Sequence, residues 1–207
     1  IKVGIIDYKC NNLFSISQAC KEVGFQTDIV SVNQKLDNYN ILILPGVGSF
    51  QIAAQYLKQN NFDQKIIEFI NKKDKLIFGI CLGMQLFFEK SYENGIHKGL
   101  GIIKGEVKKI KKNKNLKVPN IGWMKIQSNN KENFISKVNL NQSYYFVHSY
   151  ECVPKNKSLI NTFTAIKNHK FCSSIRDRNI LGCQFHPEKS GQAGLDLIKN
   201  FFINDRA

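Results

Sequence analysis

The segment Ile41-Leu42-Ile43-Leu44, closed by Pro45, is apolar at every position, and Leu76-Ile77-Phe78-Gly79-Ile80 repeats the pattern without one polar residue. A strand with one wet face alternates polar and apolar side chains, whereas a strand without alternation is covered on both faces. Amphipathic stretches that read as helices separate these runs: Asn12–Val23, stopped by Gly24 as a C′ residue, then Phe50–Lys73, then Gly83–Lys90. With Lys2–Asp7 and Thr27–Val32 as further strands, the pattern predicts an α/β fold, a three-layer, doubly wound, mostly parallel sheet.

The second half changes character. Glu106–Lys111, Ile121–Ile126, Tyr144–Val147, Thr162–Ile166, Cys172–Ile175 and Ile180–Phe185 are β-branched and aromatic runs with turn residues between them, which predicts additional antiparallel strands. A closing helix is expected over Gly191–Ile203. No repeat or Pro/Gly/Ser-rich linker divides the 207 residues, so a single domain over 1–207 is expected.

Composition narrows the setting. No apolar run reaches the roughly 18 to 20 residues that span a bilayer, and Ile1–Asp7 reads as a first strand rather than a secretory leader. The cysteines (Cys10, Cys20, Cys81, Cys152, Cys172 and Cys183) contain no C-x-x-C pair, so neither a metal site nor a disulfide framework is expected, and a reducing cytoplasm is. The net charge of +14 invites a nucleic-acid reading. The densest patch, Lys104–Lys117, holds seven lysines but no aromatic to stack on a base. Its apolar alternation (Val107, Ile110, Leu116, Val118) predicts a solvated hairpin instead, and a basic surface also suits an acidic protein partner.

Chemistry enters where the buried strand Leu76–Ile80 runs into Gly79-Ile80-Cys81-Leu82-Gly83 and a helix. A nucleophile on a sharp strand-to-helix turn needs small residues two before and two after it, because the turn brings those positions together. Cys81 would then stand at the C-terminal edge of the sheet with its thiolate favoured by the helix start, and the Leu82 N–H would face a developing oxyanion. A thiolate nucleophile also needs a proton shuttle. Of His97, His148, His169 and His186, only His186 follows an apolar strand and carries an acid at fixed spacing, in His186-Pro187-Glu188. His148 also follows an apolar strand and is the competing base; His97 and His169 lie in polar stretches and are expected to be solvated.

These residues carry a resemblance. Gly79-Ile80-Cys81-Leu82-Gly83-Met84-Gln85 together with His186-Pro187-Glu188 resembles the class I (triad) glutamine amidotransferases. Pro45-Gly46-Val47-Gly48, Pro119-Asn120-Ile121-Gly122-Trp123, Tyr145-Phe146-Val147-His148-Ser149-Tyr150 and Lys189-Ser190 are similar to the branch that serves as glutaminase subunit of imidazole glycerol phosphate synthase.

The resemblance implies that Cys81 attacks the carboxamide of L-glutamine to give a thioester, that His186 moves the protons, and that Glu188 orients His186. It implies an oxyanion hole from Leu82 and the Gly46-Val47-Gly48 loop, and contacts to the amino-acid end of glutamine from Gln85, Glu93, Ser149 and Tyr150. It implies no cofactor. Its partner would be a (β/α)₈-barrel cyclase subunit that receives the ammonia in histidine biosynthesis, met through Asn12, Trp123, Tyr145 and Lys189.

One segment departs from that pattern. Where the family reads Asp-Tyr-Gly-x-Gly-Asn, this chain has Asp7-Tyr8-Lys9-Cys10-Asn11-Asn12. Asn11 is expected to preserve a left-handed turn residue, and Lys9 less readily. The change leaves open a paralogue that feeds ammonia to a sugar amidotransferase. A peptidase or other thiol hydrolase would need the elbow and the histidine, but neither Gln85 nor the Pro-Gly-Val-Gly loop.

Overall fold

The computed structural model describes residues 1–9, 11–111, 117–128 and 140–204. In chain order the elements are β1 (Lys2–Ile6), α1 (Leu13–Glu22), β2 (Gln26–Val30), β3 (Ile41–Leu44), α2 (Phe50–Gln59), α3 (Phe62–Ile70), β4 (Leu76–Ile80), α4 (Leu82–Leu86), β5 (Phe88–Ser91), β6 (His97–Lys98) and β7 (Ile103–Lys109). They continue with β8 (Asn120–Lys125), β9 (Ser143–His148), β10 (Tyr150–Pro154), β11 (Ile160–Ile166), β12 (His169–Asp177), β13 (Ile180–Cys183) and α5 (Gly191–Asn204).

The main sheet has the order β11-β12-β13-β4-β3-β1-β2. The run from β13 to β2 is parallel, while β11 and β12 extend it antiparallel. The unbroken apolar strands explain the layering. Ile41 and Ile43 of β3 point into one core with Ile16 and Cys20 of α1 and Phe201 and Phe202 of α5. Leu42 and Leu44 point into the other, with Phe50 and Leu57 of α2 and Phe62 and Ile66 of α3. Each such buried side chain contributes about 1.5–3 kcal/mol. The sheet is therefore mixed and mostly parallel, with helices on both faces.

A second sheet, β10-β7-β5-β6, and a two-stranded ribbon, β8-β9, sit beside the main one. They correct several expectations. The helix expected over Gly83–Lys90 ends at Leu86, and Phe88–Ser91 is a strand. The carbonyls of Leu86, Phe87 and Phe88 accept from the N–H groups of Leu100, Ile103 and Gly101, which holds this segment extended. The hairpin expected across Val107, Ile110 and Val118 does not form: β7 pairs with β10, placing Val107 opposite Cys152, and β8 pairs with β9. Leu116 lies outside the described residues, as do Cys10 and residues 112–116 of the lysine patch. The stretch Phe50–Lys73 is two helices, broken where Asn61 takes a left-handed conformation.

The substituted loop after β1 also differs from expectation. Lys9, not Asn11, occupies the left-handed region, at φ +68°, with its N–H donating to Asp7 Oδ1 at 2.8 Å. A side chain there costs about 1–2 kcal/mol relative to glycine.

Candidate active site

Cys81 leaves β4 and enters α4 at φ +50°, ψ −101°, a conformation that residues with a Cβ rarely adopt. The packing around it imposes this turn. The Cys81 N–H donates to the Cys183 carbonyl of the neighbouring strand at 2.6 Å, and the Cys81 carbonyl accepts from Gln85 N–H at 3.1 Å. A Cβ on Gly79 would stand 2.7 Å from the Gly83 carbonyl, and one on Gly83 only 2.0 Å from the Leu44 oxygen. Both flanking glycines are thus required by close approach of backbone, as expected for such an elbow.

The strand beside β4 carries the histidine. After β13, His186 and Pro187 open a single 3₁₀ turn, Pro187–Lys189. This turn places His186 Nδ1 at 2.8 Å from Glu188 Oε1, with the two side chains 1% and 0% exposed. The same carboxylate oxygen accepts from Asn12 Nδ2 at 2.9 Å. Asn12, grouped by sequence with the partner-facing residues, is 6% exposed and lies behind the acid. The His186 backbone is pinned as well: its N–H donates to Tyr145 O at 2.8 Å, and Ser190 Oγ donates to its carbonyl at 2.6 Å.

Burial works against a charge on His186, but Cys81 and Glu188 outweigh it and raise the imidazole pKa to about 10. The arrangement therefore favours the charged imidazolium form of His186. Among the described residues His186 Nε2 has no partner within hydrogen-bond distance, yet Cys81 is near enough to raise the imidazole pKa by both charge and hydrogen bonding. The sulfur itself lies 3.9 Å from the Val147 carbonyl.

Cys81 and His186 share a cavity of about 280 Å³. Its wall includes Gly46, Val47, Gly48 and Leu82, together with Gln85, Glu93, Ser149 and Tyr150. Each residue named for the oxyanion hole or for substrate contact therefore faces one space. Glu93 occupies the turn between β5 and β6, and its Oε2 accepts the Phe50 N–H at the start of α2 at 2.7 Å. The Tyr8 hydroxyl donates to the Pro45 carbonyl and ties the loop after β3 to the one after β1. A larger cavity of about 440 Å³ lies between β10 and β12, away from Cys81 and His186. Its two thiols, Cys152 and Cys172, are pushed up by burial, Cys172 to about 12, which leaves them poor nucleophiles.

The other histidines separate on geometry. His148, the competing base, also lines the active cavity, but both its ring nitrogens are engaged: Nδ1 with Tyr150 O at 2.8 Å and Nε2 with Asn120 Nδ2 at 2.9 Å. Nδ1 must donate to the carbonyl, so Nε2 accepts and the ring is neutral. Burial lowers its pKa to about 4. An unfolded imidazole binds its proton near 6.5, so the stabilisation by neutral His148 is full above that value and is lost as pH falls towards 4. Between pH 7 and pH 5 wild-type protein should lose about 2 kcal/mol more than His148→Gln in urea denaturation; equal losses would place the titration elsewhere. His169, expected to be solvated, instead opens β12 half-buried, with Nε2 at 2.9 Å from Glu151 Oε2. His97 is on the short strand β6.

Of the partner-facing residues, Trp123 is 58% exposed and packs edge-on against Tyr145, ring centroids 5.8 Å apart. Lys189, next in sequence to Glu188, is exposed. Sequence reasoning passed over Gln184, whose Nε2 lies 3.4 Å from the Cys81 sulfur. The available signal was one amide in the otherwise apolar run Ile180–Phe185.

Comparison with known proteins adds to this geometry. The family described as Glutamine amidotransferase class-I matches residues 4–205. The chain is 39% identical over 199 residues to "Imidazole glycerol phosphate synthase subunit HisH 1" of Campylobacter jejuni subsp. jejuni serotype O:23/36 (strain 81-176), covering 96% of this chain and 98% of that protein. It is 42% identical over 198 residues to "Imidazole glycerol phosphate synthase subunit HisH" of Aquifex aeolicus (strain VF5), covering 95% and 94%. Among solved structures, PurLQS from Thermotoga maritima superposes with a TM-score of 0.75 at 18% identity, over 97% of this chain and 96% of that one. A structure described only as a glutamine amidotransferase gives 0.70 at 15%, over 96% and 98%. These two likenesses concern the fold alone.

Proposed function

The chain belongs to the class I glutamine amidotransferases, and from that premise we propose that it is the glutaminase subunit of an imidazole glycerol phosphate synthase, acting as a single domain. The observation that carries this reading is the meeting of Cys81, His186 and Glu188 at one edge of the sheet, the first two over a cavity of amino-acid size. The names borne by its relatives at about 40% identity support the histidine pathway over sugar amidation.

The Cys81 thiolate attacks the side-chain carbonyl carbon of L-glutamine, and the oxyanion is met by the N–H of Leu82 and one from the Gly46-Val47-Gly48 loop. Collapse breaks the C–N bond, the nitrogen leaves as ammonia with the proton held on His186 Nε2, and a γ-glutamyl thioester remains. His186, now neutral, takes a proton from water, which attacks the thioester. Glutamate departs and the thiolate–imidazolium pair returns. Glu188 holds the imidazole and its charge throughout. Gln85, Glu93, Ser149 and Tyr150 hold the amino-acid end, with Glu93 offering charge to the substrate ammonium.

Ammonia in neutral water is mostly protonated and not nucleophilic, so its use requires a closed passage to the acceptor. Exposed Trp123, packed against half-buried Tyr145 on the β8-β9 ribbon whose Val147 lines the cavity, suits a docking face for a (β/α)₈-barrel cyclase subunit. Lys189 supplies charge on that face. Among the described residues no helix is long and apolar enough to cross a membrane, and the buried free thiols accord with a cytoplasmic setting.

Glutamate release tests the proposal. The chain alone should turn over slowly, and adding the barrel subunit with its phosphoribulosyl ligand should raise the rate roughly 100-fold or more, a coupling of about 3 kcal/mol. Rapid hydrolysis without the partner, unchanged by its addition, would remove the synthase assignment.

A further inference from the structure

We propose that Gln184 is a further catalytic residue, a hydrogen-bond donor to the Cys81 sulfur whose direction is fixed by a carbonyl at the far end of the same network. The proposal rests on the reading of Cys81 as nucleophile. Gln184 is fully buried on the strand segment between β13 and His186, and its Nε2 stands 3.4 Å from Cys81 Sγ. Its Oε1 lies 3.2 Å from Gln85 Nε2, and that same Gln85 nitrogen lies 3.3 Å from the Tyr150 carbonyl.

The orientation of a side-chain amide is decided by its partners, and here the partners leave one solution. A backbone carbonyl can only accept. Gln85 must therefore turn its NH₂ towards Tyr150, and with the second hydrogen of that group it donates to Gln184. Gln184 must then present its oxygen to Gln85, and its own NH₂ is left facing the sulfur. The Tyr150 oxygen cannot be turned to another use, because it is held on its other side by His148 Nδ1 at 2.8 Å.

A donor aimed at sulfur stabilises the anion far more than the thiol, since hydrogen bonds to charged acceptors are shorter and stronger. The network therefore reinforces the thiolate independently of Glu188. It also connects the nucleophile to Gln85, a wall of the substrate cavity. Gln85 spends both hydrogens inside the protein, which leaves its oxygen to accept from a ligand. Binding there pulls on the same chain of amides that ends at the sulfur.

The experiment is the pH profile of Cys81 alkylation by iodoacetamide in the full chain, read by peptide mass. In Gln184→Met, of similar length but without a donor, the profile should move up by about one pH unit, making alkylation about tenfold slower at any pH on its rising limb. Gln184→Glu, which sets an anion against the sulfur, should move it further. Profiles that coincide with wild type would overturn the proposal, since a packing role would lower stability without moving the midpoint. Should both variants fail to fold, the wild type still decides: the side-chain amide protons of Gln184, followed by NMR, should shift with the midpoint of the alkylation profile. An amide that stays still through that titration would equally overturn it. A glutamine-derived chloroketone separates the two claims. If it does not label wild-type Cys81, the functional reading fails; if it does while Gln184→Met keeps the wild-type profile, only the present proposal fails.

Discussion

Replacing Cys81 by alanine should lower glutamine-dependent turnover by a factor on the order of 10⁴ or more, while the barrel complex keeps its synthesis when ammonium salt replaces glutamine. The size of the loss follows from the chemistry: without sulfur there is no thioester, and the carboxamide must be hydrolysed by water from an unassisted start. The fold should survive, because the side chain is small and the strained turn is set by its neighbours. Those are the Cys183 carbonyl at 2.6 Å and the two glycines whose Cβ atoms would collide with backbone. Glutamate release and product formation, each measured with glutamine and with ammonium salt, separate chemistry from assembly. If the variant loses both routes equally, Cys81 serves the structure of the complex; if it loses neither, the nucleophile is another group.

The residues that were legible in the sequence are those whose constraints are local. β3 and β4 could be placed because burial on both faces removes polar residues from adjacent positions. Gly79 and Gly83 pointed to the elbow because a backbone contact as close as the one between Gly83 and Leu44 tolerates no side chain. The acid two residues beyond His186 was readable because one proline-led turn contains the whole contact. What escaped depends on pairing between distant segments. The extended state of Phe88–Ser91 is set by residues 99–107 beside it, and nothing in its own composition separates it from the end of a buried helix. The strand Tyr150–Pro154 was missed although it lies opposite Gly105–Lys109, and this pairing undid the expected hairpin. Asn12 and Gln184 behave likewise: Asn12 lies 176 positions from Glu188 and Gln184 lies 103 from Cys81, and each has meaning only once the sheet has formed.

Glu188→Gln should reduce glutaminase turnover roughly 10³-fold and leave the protein folded, a smaller loss than that of the nucleophile. The substitution keeps the shape. With its carbonyl oxygen in place of Oε1, the new side chain still accepts from His186 Nδ1 and from Asn12 Nδ2, which stand 2.8 and 2.9 Å from that atom. The difference is charge. In wild type the attraction of Cys81 and Glu188 holds the imidazolium against its burial, with a pKa of about 10. That stabilisation is full below the unfolded imidazole value near 6.5 and is lost as pH rises through 10. Removing the carboxylate lets burial regain ground, so the pair gives way at lower pH and the alkaline limb of the rate profile should move down. A neutral imidazole still accepts a proton, which is why turnover persists at all. The amide adds a second penalty if it turns its NH₂ towards Nδ1, because the ring must then shift its own proton to Nε2, the atom that has to receive the thiol's. Turnover followed from pH 6 to 10 in both proteins distinguishes these effects: a lowered alkaline limb reports lost charge, and a uniform drop at every pH reports the wrong tautomer. A variant with wild-type rates across that range would mean that Glu188 neither orients nor charges the histidine, and the base would have to be held by its backbone contacts to Tyr145 and Ser190 alone.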